Sequence, residues 1–457
     1  MRRTASPVRR AQPGPALLLL SLLAATGAGA EETLDSGSEL TLATALAIAF
    51  ERSPVLAAAR ADVAAARARL TSARVYPYNP ELGIGQGRRE GAEGESTDRE
   101  LALSLELEVA GQRGKRIAAA RSGLAAAEAG WVRARRLLAA EVELSFAEGV
   151  AARELLALEA ADVRLTEEFA RYTRRRFRAG AATQIDLNLA TATAGRASRR
   201  VALARAEYTL RRSRLGEVVG TLPGVQPRPL GDLLLPREAP PPLPRLLAAA
   251  QRNRADLEAF RHTRMAVQSE LRLARAERFP NLVVGTFRAE EERTETIHGF
   301  GVGLALPLFN RNQGAVAETA AELTRTGADL RTAELAVARE VTAAWAGLRA
   351  AREAVQHLGT EVVGSLEENL RLLERAFEAG KLDATDLLAF RHELVEARRE
   401  WIATLTDGWI ARITLDLAIG ATPTPPAAAL RENDAAPTSR PPASRPKAQR
   451  QPEESTS

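Results

Sequence analysis

From Gln112 to Arg178 the chain runs 67 residues without a proline, rich in Ala, Leu, Arg and Glu, with apolar residues at three- and four-residue spacing. That pattern predicts one continuous α-helix, a rod of about 100 Å at 1.5 Å per residue. No compact domain needs such a rod, so other segments must lie along it. Leu42–Ala73 and Asp186–Val219 are helical in pattern, and end to end they match its length. The proline-free stretch Gln313–Ile419 yields a second long helix over Gln313–Glu378 and a shorter one over Asp386–Ile419, with Leu243–Arg278 beside them.

These two sets are copies. Arg175-Arg176-Phe177-Arg178-Ala179-Gly180 followed by Asp186-Leu187 recurs 200 residues later as Arg375-Ala376-Phe377-Glu378-Ala379-Gly380 followed by Asp386-Leu387. Gly220 recurs as Gly420, Arg60 as Arg261, and an Asn-Pro step at Asn79-Pro80 answers a Pro-Asn step at Pro280-Asn281. So long a period excludes a solenoid and implies two copies of one substantial unit. Eight of the 24 prolines fall between Thr221 and Pro244 and eight more after Gly420. The chain accordingly divides into a first repeat over 31–220, a Pro-rich linker over 221–244, a second repeat over 245–420 and a disordered tail over 421–457.

Each repeat also holds two segments of period two. In Gly299–Leu308 the even positions are Phe300, Val302, Leu304, Leu306 and Leu308, while Gly299, Gly301, Gly303 and Ala305 are small. Leu101–Val109 alternates likewise, and Leu82–Arg88 and Asn281–Glu290 do so more weakly. Such segments are strands with unlike faces. Two strands near 81–109 and two near 281–308, about ten residues each, suit a tilted membrane β-barrel, with the charged stretches Arg89–Asp98 and Glu290–His298 as water-exposed loops. Aromatics gather there too (Tyr76, Tyr78, Phe279, Phe287, Phe300, Phe309), as interfacial girdles would require. A soluble hairpin packed on helices explains the alternation equally well. Four strands cannot close a barrel, whereas three chains would supply twelve.

The first thirty residues have the parts of a cleaved signal peptide: Arg2, Arg3, Arg9 and Arg10, an apolar run over Pro15–Leu23, and Ala28-Gly29-Ala30 before two acids. Those arginines explain most of the formal charge of +5, and beyond residue 30 the basic and acidic groups nearly balance, which excludes a phosphate-binding footprint and nucleic acid as a partner. With no cysteine there is no disulfide, thiolate site or acylated N-terminal cysteine. Four histidines (His262, His298, His357, His392) make no metal-ligand spacing, and no nucleophile elbow or phosphate-cradling loop appears. Neither an enzyme, a cofactor nor a resident metal is expected.

Leu40-Thr41-Leu42, Ala45-Leu46-Ala47, Ser53-Pro54, the strand exits Glu108-Val109-Ala110-Gly111-Gln112-Arg113-Gly114 and Leu306-Pro307-Leu308-Phe309-Asn310-Arg311-Asn312-Gln313-Gly314, and the paired Gly180/Asp186 and Gly380/Asp386 turns together resemble the TolC-type outer-membrane efflux family over residues 40–420. The resemblance implies a mainly α fold with a membrane β-barrel. Long α-helical hairpins form a periplasmic tunnel, and four β-strands per chain contribute to a twelve-stranded trimeric barrel. It implies a homotrimer in outer-membrane lipid, serving as passive exit duct for an inner-membrane pump joined through a periplasmic adaptor; many relatives carry an acylated cysteine after the signal peptide, and with none in this chain no lipid anchor is expected. Within the family, Pro307-Leu308-Phe309-Asn310-Arg311-Asn312-Gln313-Gly314 is most similar to partners of heavy-metal pumps of the resistance-nodulation-division type. A type I protein-secretion duct is the alternative within the family, and a soluble periplasmic coiled-coil adaptor or rod the alternative outside it.

Site candidates follow. The resemblance places Asp386 at the periplasmic aperture. The family's second aspartate is replaced by Ala389, with Asp383 a substitute. Asp186, at the matching place in the first repeat, is either a helix N-cap or a further aperture carboxylate. Gly180 and Gly380 suit the left-handed residue that ends a helix, and with Thr183 and Lys381 they form the expected adaptor-contacting tips. Glu106 and Glu108, on the small-residue face, either line the barrel lumen or mark the solvent end of their strand.

Overall fold

The computed structural model describes residues 38–91, 94–221, 226–233, 235, 239–291, 295–378 and 384–421. The leader, Gly380, Lys381, Asp383 and the tail beyond 421 lie outside them. In chain order the elements are β1 (Glu39–Leu40), α1 (Leu42–Arg52), α2 (Pro54–Arg74), β2 (Glu81–Gly91), β3 (Gly94–Leu107), α3 (Gln112–Arg178), α4 (Gln184–Val219) and β4 (Arg228–Pro229). Then come α5 (Leu243–Asn253), α6 (Ala255–Ala276), β5 (Leu282–Glu291), β6 (Glu295–Leu304), α7 (Gln313–Gln356), a π-helical turn (His357–Val363), α8 (Gly364–Glu378) and α9 (Ala384–Ala418).

The 67-residue helix forms in full as α3. Of the helices expected alongside the long ones, Asp186–Val219 forms unbroken within α4 (Gln184–Val219), while two others are broken. Leu42–Ala73 becomes α1 and α2, bent by 47° at Ser53. Pro54 has no N–H to continue the ladder and holds Ser53 extended at φ −64°, ψ 122°, while the Ser53 hydroxyl accepts from Leu56 N (3.4 Å) and caps α2. Leu243–Arg278 breaks likewise between α5 and α6 at Arg254, φ −70°, ψ 116°, with no proline following. Each break is clasped by an arginine of the next helix: Arg60 donates to Phe50 O (3.4 Å) and Arg261 to Gln251 O (3.1 Å). The second long helix widens at the π-helical turn, where Gly359 lies so close to the Trp401 ring that a Cβ there would meet it.

β2, β3, β5 and β6 form one antiparallel sheet in that order. The register pairs Leu82 with Leu103, Ile84 with Leu101, Leu105 with Val284 and Val284 with Val302, so one face is largely apolar, interrupted by Thr286 beside Leu103 and by Arg288 and His298 in the row of Ile84 and Leu101. Phe300 on that face is 87% exposed and Ile84 79%. The opposite face carries Gly83, Gly85, Ala102, Ser104, Gly285, Gly301 and Gly303. The strands outrun their expected ends, because the charged stretches read as loops are paired: β2 continues to Gly91 opposite Gly94, and β5 to Glu291 opposite Glu295. Arg89 bridges both hairpins, donating to Asp98 (2.9 Å) and Glu291 (2.7 Å), so opposite charges on neighbouring strands hold what composition alone assigned to water.

Two apolar clusters anchor the helices. The first gathers Leu46, Leu56, Val142, Phe146, Leu215 and Trp409, and the second Leu246, Leu257, Val341 and Leu415. Leu46, Leu56 and Leu215 recur as Leu246, Leu257 and Leu415, so the duplication extends into the cores. The Pro-rich segment, expected as a plain linker, packs against the helices where it is described. Arg228 N donates to Ser38 O and Leu230 N to Leu40 O, forming the parallel pair β1–β4. Pro229 is fully buried against Gly149, and Arg153 donates to the carbonyls of Pro229 (2.8 Å) and Gly231 (2.7 Å).

Candidate functional site

At the far end of α3 the chain reverses through a Schellman turn: Ala181 N donates to Arg176 O (2.8 Å), Gly180 N to Phe177 O (3.0 Å), and Gly180 sits at φ +72°. Gly220 and Gly420 end α4 and α9 in the same way, at φ +80° and +68°. The start of α4 corrects one expectation. Thr183, not Asp186, is the N-cap. Asp186 is the third helical residue of a capping box, its Oδ2 accepting from Thr183 N (2.9 Å) and Thr183 Oγ1 (2.8 Å), while Thr183 Oγ1 accepts from Asp186 N (3.1 Å). The Thr183 hydrogen bonds, aided by Arg176, hold the Asp186 carboxyl below its ordinary value. Thr183 and Asp186 are thus brought together on an exposed tip. Asp386 is exposed in the first turn of α9, while its expected companions Gly380, Lys381 and Asp383 lie outside the described residues.

At the other end of α3, where strand becomes helix, Glu106 and Glu108 are joined through Tyr76, whose hydroxyl donates to Glu106 O and accepts from Glu108 N, each at 2.9 Å. Their side chains part. Glu108 lies beyond the end of β3, 6% exposed, and pairs with Arg116 (2.7 Å). Glu106 stays on the small-residue face and accepts from Asn281 Nδ2 (2.7 Å), which also reaches Tyr78 Oη (2.8 Å). Gln112, buried, donates to Asn281 Oδ1 (3.0 Å) and accepts from Ala110 N, tying the two repeats together at the base of the sheet. Gln313 accepts from Arg311 N (2.7 Å) at the same place in the second repeat. Asn281 and Gln112 were not among the sequence candidates, although both belong to repeated motifs.

Between these ends α3 buries three carboxylates. Glu143 meets Arg412 of α9 (3.4 Å), whose guanidinium stacks on Trp409 at 4.8 Å. Burial outweighs that attraction and pushes the Glu143 carboxyl up to about 7. Nearer the tip, Glu159 accepts from Arg200 of α4 (3.2 Å) and Arg399 of α9 (2.5 Å), and Asp162 pairs with Arg200. Sequence periodicity hid this layer, since acids and arginines at helical spacing look like a wet face. Among the described residues no group of three or more His, Asp or Glu could hold a metal ion, and no helix is singly long and apolar enough to cross a membrane. The arrangement holds helices and strands together.

Comparison with known proteins agrees with that reading. A family model described as "Outer membrane efflux protein" matches residues 45–221 and 246–421, once for each repeat. The chain is 26% identical over 399 residues to the cobalt-zinc-cadmium resistance protein CzcC of Cupriavidus metallidurans, covering 84% of this chain and 91% of that one. It is 28% identical over 396 residues to protein CyaE of Bordetella pertussis, covering 80% and 81%. Its fold matches the Campylobacter jejuni CmeC outer membrane channel with a TM-score of 0.69 at 14% identity, over 92% of this chain and 97% of that one. Both repeats match the one family model, and this chain belongs to the outer membrane efflux protein family, whose members are channels rather than enzymes.

Proposed function

We propose that three copies of the chain close a twelve-stranded barrel in the outer membrane and form the exit duct of a tripartite pump. The observation that carries this is the sheet itself. Among the described residues β2 and β6 have strand partners on one side only, and the face they bound exposes Ile84, Phe300, Val302 and Leu304. An open, flat, apolar sheet in water invites aggregation, whereas closure with two further copies removes both edges and turns the apolar face to lipid. Because β2 and β6 run in opposite directions, β6 of one copy meets β2 of the next as an antiparallel pair.

In this arrangement the glycine face lines the lumen with Glu106, while Glu108 serves the joint with Arg116. The Thr183–Asp186 box and the Asp386 turn form the periplasmic tips. Asp386, with Asp383, rings the aperture with carboxylates, and Gly180, Gly380, Thr183 and Lys381 meet the adaptor. Asp186 belongs more to the cap than to the aperture, since Thr183 occupies its carboxylate. Likeness to a cobalt-zinc-cadmium resistance protein supports divalent metal cations as cargo, and the resemblance carried by Pro307–Gly314 supports a resistance-nodulation-division pump as the energy source.

The test is accumulation of cobalt, zinc and cadmium in cells carrying the cognate pump and adaptor, with and without this chain. Lower metal content only when the chain is present is expected. Equal metal content in both would reject metal cargo, and a chain absent from the outer-membrane fraction would reject the duct.

A further inference from the structure

The two open edges of the sheet carry matching sequences. Along β2, Gly83, Gly85 and Gly87 alternate with Leu82, Ile84 and Gln86, and along β6, Gly299, Gly301 and Gly303 alternate with Phe300, Val302 and Leu304. When these edges pair, glycine-side residues must oppose glycine-side residues, so the allowed registers differ in steps of two. Barrel geometry narrows them. A twelve-stranded barrel whose strands tilt by about 35–45° accumulates a stagger of about 12–17 residues around its girth, at about 3.4 Å per residue and about 4.8 Å between strands. Each of three copies supplies a third of it, and the even number in that third is about four. Within one copy a straight row across the sheet runs Glu81, Ser104, Gly285, Gly301. A stagger of about four residues carries the row on to Gly85 of the next copy, whereas the opposite sense would carry it to Pro77, ahead of β2.

On the basis of the trimeric barrel proposed above, we propose that β6 of one copy pairs with β2 of the next in a single register, with Gly301 opposite Gly85. In that register Gly299 opposes Gly87 and Gly303 opposes Gly83, so each seam shows bare backbone to the lumen. On the lipid side the row Val284, Val302 continues into Ile84 of the next copy, and the row Leu282, Leu304 into its Leu82. The pairing runs from Leu82 opposite Leu304 to Gly91 opposite Glu295 and so uses all 10 residues of β6. One even step further sets Arg89 against Gly299 and Arg88 against Phe300, and one even step less sets Glu81 against Gly303. Either step also leaves residues of β6 without a partner in β2.

The chain has no cysteine, so introduced cysteines report the seam without background. Ile84→Cys with Val302→Cys, and Leu82→Cys with Leu304→Cys, are directly opposed in the proposed register. Leu82→Cys with Val302→Cys and Gln86→Cys with Val302→Cys are opposed in the registers on either side of it. Within one copy β2 and β6 lie about 14 Å apart across β3 and β5, too far for a disulfide, so any link joins two copies. Outer-membrane fractions are oxidised with copper phenanthroline and run on denaturing gels without reductant. Covalent trimers are expected from both opposed pairs, forming about tenfold faster than from the offset pairs, whose Cβ atoms are about 7–8 Å apart. The two opposed pairs share no residue, so misfolding of one leaves the other to decide. Faster linking of an offset pair, or no linking of any pair in a particle that native mass shows to be trimeric, would overturn the register and leave the barrel standing. No linking of any pair together with a native monomer would overturn barrel closure, and the register with it.

Discussion

Arg399, on the last helix of the second repeat, donates through Nε to Glu159, on the long helix of the first, at 2.5 Å, and the Glu159 side chain is only 4% exposed. A buried carboxylate that loses one of two guanidinium partners keeps its desolvation cost and loses part of its compensation. In urea unfolding, Glu159→Ala and Arg399→Ala are each expected to destabilise, with Glu159→Ala the worse because it takes one carboxylate partner from both Arg399 and Arg200, leaving Arg200 only Asp162. A double-mutant cycle should return a coupling of about 1–3 kcal/mol. Coupling near zero would mean that water replaces the pair and that it does not join the repeats.

Glu143 gives the fold a pH dependence of definite sign. Its carboxyl is raised from 4.5 to about 7 by burial. Between those values the folded chain binds the proton that the unfolded chain has released, so stability from this group falls as pH rises from about 4.5 to 7. Asp416, raised by the same cause, adds in the same direction. Glu143→Gln should remove the Glu143 share of that slope and stabilise the protein at pH 8 by up to about 3 kcal/mol, while changing little below pH 4.5. The check is the difference in unfolding free energy between parent and variant across pH 4–8, and a flat difference would show that Glu143 is ionised at no cost.

Gly180 and Gly420 occupy the same turn in two places and should differ in their tolerance of a side chain. A Cβ at Gly180 meets nothing within 4 Å, so Gly180→Ala is charged only for its left-handed backbone, about 1 kcal/mol. A Cβ at Gly420 would lie 2.9 Å from the Asn253 carbonyl, at the break between α5 and α6, and backbone cannot step aside as a flexible side chain does. Gly420→Ala should therefore lower the thermal midpoint clearly more than Gly180→Ala, and equal effects would mean that the α5–α6 break is free to shift.

Asp386 stands exposed at the start of α9. A ring of three such carboxylates would attract cations at the aperture. Asp386→Ala is expected to change single-channel conductance or cation block in planar bilayers, and unchanged behaviour in both would remove it from the constriction.

Much of this fold was readable in the chain because its signals are local or repeated. The absence of proline predicted α3 to the residue, and alternation in Gly299–Leu308 marked a strand that the structure ends at Leu304. The failures are those where partners decide. Arg89–Asp98 reads as a loop until Glu291, two hundred residues on, neutralises Arg89 across the sheet. The break at Ser53 was marked by Pro54, whereas Arg254 gives no such sign, and that break shows only through Arg261 and Gln251. Glu143 and Glu159 look like wet-face acids because burial is a property of what packs against them. At the tip, Gly180 announced its turn, but one hydroxyl and one carboxylate three residues apart divided the cap between Thr183 and Asp186 in a way that composition did not assign.

If β2 and β6 find their missing neighbours in two further copies, the chain leaves the outer membrane as a trimer. Native mass measurement of the protein extracted in detergent from the outer-membrane fraction, before and after heating, tests it most directly. A heat-labile particle of three chains found only in that fraction is expected. A soluble monomer or dimer in the periplasm would contradict it, because the apolar face of the four-stranded sheet would then never meet lipid.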